Sequence, residues 1–213
     1  MDGDSVDLWF YEREAWNRGF AVVAGVDEVG VGTLAGPVVA AAVILPTDFD
    51  GRGVRDSKAL TPTAREAVFD RIMSVARVGV GIVGPEVIDE INVLRASHTA
   101  MRLAIEELGT PPDFILVDGR RVDGFPVESQ AIVKGDAKSV SIAAASVIAK
   151  VTRDRIMLDL DLLYPGYGFA GHKGYCTSEH LAALARCGPC PCHRKSFAPV
   201  AERLAECRLP GLE

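Results

Sequence analysis

What this sequence lacks narrows its class before any motif is considered. It has no long apolar run: the longest, Val38 to Leu45, falls far short of the roughly 20 residues that cross a bilayer, so no spanning helix is expected. It has no basic-then-apolar leader either, since the opening Met1-Asp2-Gly3-Asp4-Ser5-Val6-Asp7 is acidic, and a cytoplasmic protein is expected. Cysteine is scarce and odd in number, five residues crowded towards the C-terminus, which does not suit a disulfide framework and fits free thiols in a reducing compartment. Internal repeats, low-complexity tracts and long linkers are missing. A chain of 213 residues can bury a substantial core without staples, so one domain is the expectation.

A net positive charge is missing too. The formal net charge of −6 argues on its face against a nucleic-acid partner. The average hides local clusters: Arg52, Arg55 and Lys58; Arg120 and Arg121; Lys134 and Lys138; Lys150, Arg153 and Arg155; His172 and Lys173; Arg194 and Lys195. Local fields rather than total charge decide where a polyanion docks, so a basic rim around an acidic centre is open, beside the plainer reading of scattered solvated charges.

What is present is a mixed α/β pattern. Residues 8 to 18 read as a short amphipathic helix with Leu8, Trp9 and Trp16, followed by strands at Ala21 to Val26 and Val38 to Leu45, the second apolar enough for burial on both faces. Thr61-Pro62 is an N-cap followed by proline at the first helical position, opening a helix over 62 to 76. Residues 77 to 83 alternate as a third strand, and the first three strands form a meander. A helix then carries Ile91, Leu94, His98, Met101, Ile105 and Leu108 on one stripe and stops at Gly109; His98 reads as core-facing with a local partner rather than as a ligand. Strands at Phe114 to Asp118 and Gln130 to Lys134 follow, then a long helix over about 139 to 163 and a helical C-terminal stretch with loops.

Carboxylates punctuate this pattern. Asp27 and Glu28 end an apolar strand and run into the glycine-rich turn Val29-Gly30-Val31-Gly32, while Asp118 and Asp136 end two further apolar runs. Each alone is ordinary turn chemistry. Together they are four carboxylates at three strand ends, whose repulsion a cation must neutralise, and hard oxygen ligands without histidine select Mg²⁺ or Mn²⁺ over zinc. The glycine turn is no phosphate cradle of the P-loop or dinucleotide type, because Gly30 to Gly36 lacks the Gly-Lys-Ser/Thr ending and leads through Pro37 into a strand rather than a helix. It offers backbone N–H and C=O groups beside the carboxylates, where a sugar or phosphate can be read.

The ordered set of these motifs resembles bacterial ribonuclease HII over nearly the whole chain. The matching segments are Asp27-Glu28-Val29-Gly30-Val31-Gly32 with Ala35-Gly36-Pro37-Val38, Asp56-Ser57-Lys58, Val117-Asp118-Gly119 and Val133-Lys134-Gly135-Asp136. Ala143 to Asp154, Gly168-Phe169-Ala170-Gly171-His172-Lys173-Gly174-Tyr175 and His193-Arg194-Lys195-Ser196-Phe197 complete them. The resemblance implies an α/β fold: a ribonuclease H-like mixed five-stranded sheet flanked by helices, with a C-terminal helical lobe. It implies a single catalytic domain over 1–213, with a core of about 20–165 and a lobe of about 166–213.

The resemblance also implies that Asp27, Glu28, Asp118 and Asp136 are the catalytic metal ligands of a two-metal site for Mg²⁺ or Mn²⁺. The implied activity is endonucleolytic cleavage of the RNA strand of RNA–DNA hybrids and of single ribonucleotides in duplex DNA. The cut falls on the 5′ side of the ribonucleotide and leaves a 3′-hydroxyl and a 5′-phosphate. Gly30, Val31, Gly32 and Tyr175 are the implied readers of the 2′-hydroxyl, the group that distinguishes RNA from DNA. Lys58, with Ser146, Lys150 and Arg153 at i, i+4 and i+7 on one helix face, is implied to grip phosphates. A monomer with no membrane partner is expected.

Three positions depart from the family pattern. Val31 stands where the family turn usually has arginine, and Ala59 where a second lysine normally follows Asp-Ser-Lys. Cys187, Cys190, Cys192 and His193 have zinc-like content in a segment that the family uses without a metal, so zinc is not expected. Two other readings stay open: another ribonuclease H-like nuclease such as a resolvase, and a catalytically impaired hybrid-binding homologue.

Overall fold

The computed structural model describes residues 7–54 and 60–207. Lys58 and the motif Asp56-Ser57-Lys58, with Ala59, lie outside the described residues. The chain folds as two compact units, one made of residues 1–29, 39–82 and 98–151 and the other of 30–38, 83–97 and 152–213. No helix among the described residues is long and apolar enough to cross a membrane.

The first unit is built on a five-stranded sheet in the order β3-β2-β1-β4-β5. Its strands are β1 (Val23–Val29), β2 (Val38–Ile44), β3 (Arg77–Val83), β4 (Phe114–Asp118) and β5 (Ser129–Ile132). β1 pairs antiparallel with β2 and parallel with β4, and β4 pairs parallel with β5, so the sheet is mixed as expected. The first three strands are neighbours in it, as a meander requires. β2 is fully buried from Val38 to Val43, which accounts for its unbroken Val/Ala composition.

Helix α1 (Phe10–Asn17) and the long helix α5 (Val140–Leu163) are joined by a buried carboxylate. Glu12 of α1 accepts hydrogen bonds from the Ser139 hydroxyl (2.6 Å) and from the N–H (3.0 Å) and hydroxyl (2.6 Å) of Ser141, placing negative charge at the N-terminal end of α5. Gly25 lets α5 lie directly on β1: a Cβ there would run into the Ser141–Ile142 peptide. The register of α5 over the central strand is thereby fixed. α2 (Pro62–Val75) begins as the sequence indicates, with Thr61 Oγ1 accepting from the Ala64 N–H at 3.3 Å.

One expected helix is two. α3 (Pro85–Ile91) and α4 (Val93–Glu106) are separated by Asn92, whose φ of 67° ends the first and whose side chain accepts from the N–H groups of Leu94 and Arg95, both at 3.1 Å, to cap the second. The break turns the expected stripe. Leu94 is 61% exposed and His98 only half-buried, while Ala100, Met101, Ala104, Ile105 and Leu108 are buried. Small alanines let the helix approach closely, a signal that a search for large apolar residues passes over.

The second unit is mostly helical: α6 (Phe169–His172), α7 (Ser178–Cys187) and α8 (Ala198–Cys207) join the segment 30–38 and α3. Its core includes Met157, Tyr167, Phe169, Ala183 and Cys192 around Ala35, and Leu34 with Leu184 and Val200.

Candidate active site

The first unit carries all four carboxylates, and among the described residues no three of them bring their oxygens within 4.8 Å of one another. β1 continues through Asp27 and Glu28 to Val29, so both lie within the strand rather than after it. Asp118 is the last residue of β4. The parallel register that pairs Val26 with Val117 brings Asp27 and Asp118 level at the next step, on the face turned to α5. Asp136 does not end a strand. β5 stops at Ile132, Lys134 adopts a left-handed conformation (φ 57°), and Asp136 sits in the single 3₁₀ turn Gly135–Ala137. That turn is tied to Asp118, whose Oδ1 accepts the Gly135 N–H at 2.6 Å.

Electrostatics couple three of them. Asp27 is 5% exposed, and its carboxyl is pushed well above the usual range, first by burial and then by the charges of Glu28 and Asp118. A hydrogen bond from Ser146 and the Glu28 N–H, 2.8 Å from Asp27 Oδ1, oppose the rise. Ser146 is itself buried on α5. Its place is against Asp27, not on a phosphate as the helix spacing suggested. Lys150, one turn on, is half-buried.

The second unit holds the glycine turn, and here two cationic expectations are corrected. Arg153 and Arg194 are fully buried. Arg153 donates from Nε to the Pro37 carbonyl (2.9 Å), from Nη1 to that of Lys173 (2.9 Å), and from Nη2 to Thr33 Oγ1 (2.9 Å) and the Ala35 carbonyl (3.1 Å). Arg194 donates to the carbonyls of Gly30 (2.6 Å), Val31 (2.9 Å) and Gly36 (2.9 and 3.1 Å). With every guanidinium nitrogen taken by the protein, Arg153 does not grip a phosphate and Arg194 is no part of a basic rim. Burial lowers the pKa of both. A planar fork with five donors suits this bracing of one loop, which lysine could not reproduce.

The bracing also says which groups of the turn remain. Gly30 has φ 93°, and a Cβ there would collide with the Arg153 side chain, so glycine is required on both counts. The carbonyls of Gly30 and Val31 point into Arg194; the N–H groups of Val31 and Gly32 have no acceptor among the described residues. Tyr175 is 42% exposed. Its neighbour Gly174 accepts the Leu34 N–H at 2.8 Å, which joins the tyrosine's segment to the end of the glycine turn. Sequence patterning missed both braces, because an arginine bound to backbone carbonyls has no sequence partner to betray it.

A sheet ordered in this way, with acidic residues on its central strands, defines a ribonuclease H-like fold. Ribonuclease H2 from Pyrococcus horikoshii OT3 superposes with a TM-score of 0.74 at 29% identity, covering 88% of this chain and 99% of that one. A family model described as ribonuclease HII matches residues 24–200. The chain is 55% identical over 202 residues to ribonuclease HII of Geobacter sulfurreducens, covering 94% of this chain and 93% of the relative. It is also 55% identical over 193 residues to that of Acetivibrio thermocellus, covering 90% and 75%. The chain belongs to the ribonuclease HII family of hydrolases.

Proposed function

We propose that the chain is a metal-dependent endoribonuclease that cleaves the RNA strand of RNA–DNA hybrids and single ribonucleotides embedded in DNA, 5′ to the ribonucleotide, leaving a 3′-hydroxyl and a 5′-phosphate. The observation that carries the reading is the like-charge repulsion of Glu28 and Asp118 on Asp27, which with burial raises the Asp27 pKa, together with the Asp118–Gly135 hydrogen bond at the turn that carries Asp136. A protein that only bound hybrids would have no use for such repulsion.

The donor set fits hard divalent cations. It consists of carboxylate oxygens, and the repulsion that raises Asp27 is what a bound cation relieves. Asp27, Glu28, Asp118 and Asp136 would hold Mg²⁺ or Mn²⁺, which would supply an activated water and stabilise the leaving 3′ oxygen. Ser146 and the Glu28 N–H orient the Asp27 carboxyl and work against the rise in its pKa, which a bound cation would reverse. The N–H groups of Val31 and Gly32, set by the two buried arginines, are offered to the ribose 2′-hydroxyl, and Tyr175 supplies a ring for stacking and a hydroxyl for hydrogen bonding. Lys150 and Lys58 remain as phosphate contacts in this reading, and the enzyme works as a cytoplasmic monomer.

The test is a duplex with one ribonucleotide, set beside an all-DNA duplex and a four-way DNA junction. Cleavage of the first alone, in Mg²⁺ or Mn²⁺, is the expected result. Cleavage of the junction makes the chain a resolvase-like nuclease, and binding to the first duplex without cleavage makes it a hybrid-binding homologue.

A further inference from the structure

Among the described residues one group of potential metal ligands meets closely, and it contains none of the four carboxylates. In the second unit the Sγ atoms of Cys190 and Cys192 and a ring nitrogen of His193 all fall within 4.8 Å of one another. Cys190 Sγ stands 3.1 Å from Cys192 Sγ and 3.1 Å from His193 Nδ1. We infer that Cys190, Cys192 and His193 form a binding site for one thiophilic divalent cation, Zn²⁺ by its ligand chemistry, separate from the Mg²⁺ or Mn²⁺ of the proposed cleavage reaction.

Geometry favours the cation. Tetrahedral Zn²⁺ bonds of about 2.3 Å to sulfur and about 2.0 Å to nitrogen place neighbouring ligand atoms about 3.5–3.8 Å apart. Opening this cluster by about half an ångström reaches that spacing. The tautomer is also set. His193 Nδ1 accepts the Cys190 N–H at 3.1 Å, so it carries the lone pair, and the proton on Nε2 goes to His180 Nε2 at 3.1 Å. His180 Nδ1–H in turn donates to the Tyr175 carbonyl at 2.9 Å. A ligand histidine oriented through its second ring nitrogen is the arrangement that metal sites use, and a cation would take over the lone pair now offered to the Cys190 N–H.

Access and the fourth position are present as well. Cys190 and His193 line a cavity of about 500 Å³ together with Glu86, Pro189 and Pro191, so water can reach the cluster and complete the tetrahedron. Cys187, the first residue of the Cys-x-x-Cys-x-Cys-His run, is exposed and outside the cluster. That is why the spacing alone is misleading: it suggests four ligands in a row, while the fold assembles three.

The segment that carries the site is paired with residues 34–36, which follow the glycine turn. The Cys192 carbonyl accepts the Gly36 N–H at 2.9 Å, His193 bridges to Ala35, and the Arg194 N–H donates to the Leu34 carbonyl at 2.9 Å. A bound cation would fasten the segment that carries Arg194 and, through His180, the backbone of Tyr175.

The experiment uses the full chain, stripped with a chelator, kept reduced and titrated with Co²⁺. One equivalent should bind with a thiolate-to-cobalt charge-transfer band. Zn²⁺ should abolish that band and excess Mg²⁺ should not. Cys190→Ser and Cys192→Ser should each lose it, Cys187→Ser should keep it, and His180→Asn should weaken Co²⁺ binding about tenfold. As a check independent of any substitution, Zn²⁺ should protect Cys190 of the unaltered protein from alkylation. No charge-transfer band, a band retained in both Cys190→Ser and Cys192→Ser, displacement by Mg²⁺, or alkylation of Cys190 unaffected by Zn²⁺ would each overturn the inference. None of these readouts depends on nuclease activity, so the proposed function stands or falls separately.

Discussion

The two units bury charge in opposite ways. In the first, Asp27 is buried beside Glu28 and Asp118, and its carboxyl is held well above its usual range because the neighbours share its sign. In the second, Arg153 and Arg194 are just as deeply buried, yet their nitrogens meet seven carbonyl contacts and the Thr33 hydroxyl. A buried cation satisfied by backbone oxygens is finished structure. A buried anion facing other anions is unfinished and calls for a ligand. The contrast separates chemistry from scaffolding more sharply than charge or burial alone, since on those criteria all three residues look alike.

The largest expected effect breaks the anionic side. Asp27→Asn and Asp136→Asn should each reduce single-turnover cleavage of an embedded ribonucleotide by about 10²–10³-fold or more, with unchanged circular dichroism. Asp27→Asn should also raise the unfolding midpoint at neutral pH in metal-free buffer. The sign follows from linkage: a carboxyl whose folded pKa lies above its unfolded value binds more protons in the native state, so the unaltered protein loses stability as pH rises through the folded pKa. The variant should lack that part of the pH dependence. Near wild-type turnover at saturating metal would remove the residue from the site.

Breaking the cationic side should instead unfold. Arg194→Met leaves the carbonyls of Val31 and Gly36 without their arginine donor and that of Gly30 with the Thr33 hydroxyl alone, and should cost about 3 kcal/mol in urea denaturation. Arg194→Lys should recover little of it, because a point charge cannot reach three carbonyls at once. A stable Arg194→Met protein with impaired cleavage would place Arg194 with the reacting groups and dissolve the distinction drawn above.

Two smaller effects sharpen the picture of the second unit. Tyr175→Phe should slow cleavage at a single ribonucleotide by about 1–3 kcal/mol in activation free energy while leaving stability unchanged, since the side chain is partly exposed. Unchanged rates would return the hydroxyl to a passive role. Val31→Arg should tighten substrate binding and steepen the slope of log affinity against log salt by about 0.7–0.9, the change for one added phosphate contact. The position of the cut should not move, because the proposed ribose contacts are backbone N–H groups. A shifted cut would assign ribose reading to the side chain at position 31.

Much of the first unit was legible in the sequence. Strand alternation, the unbroken apolar run of β2, the Thr61-Pro62 cap and the Asp118 that ends β4 are local signals, written within a few residues of the feature they specify. Where the sequence misled, the competing signal was equally local but weaker than packing. Leu94 and His98 continued a helical stripe that Asn92 interrupts, and Ser146, Lys150 and Arg153 shared a helix face without sharing a role. Ser146 meets Asp27, whereas Arg153 meets carbonyls more than a hundred residues away in sequence.

Neighbours along the chain were enough for most of the strands and helices, for Asp27 and Asp118 on the central strands, and for the family to which the motifs belong. All of these follow from the identity and spacing of neighbours along the chain. Only the tertiary structure decided which buried charges face like charges and which are braces, and which three of the four Cys and His residues near position 190 converge. Those outcomes depend on where backbone carbonyls and distant side chains arrive in space, and a carbonyl acceptor, being common to every residue, leaves no mark in the sequence.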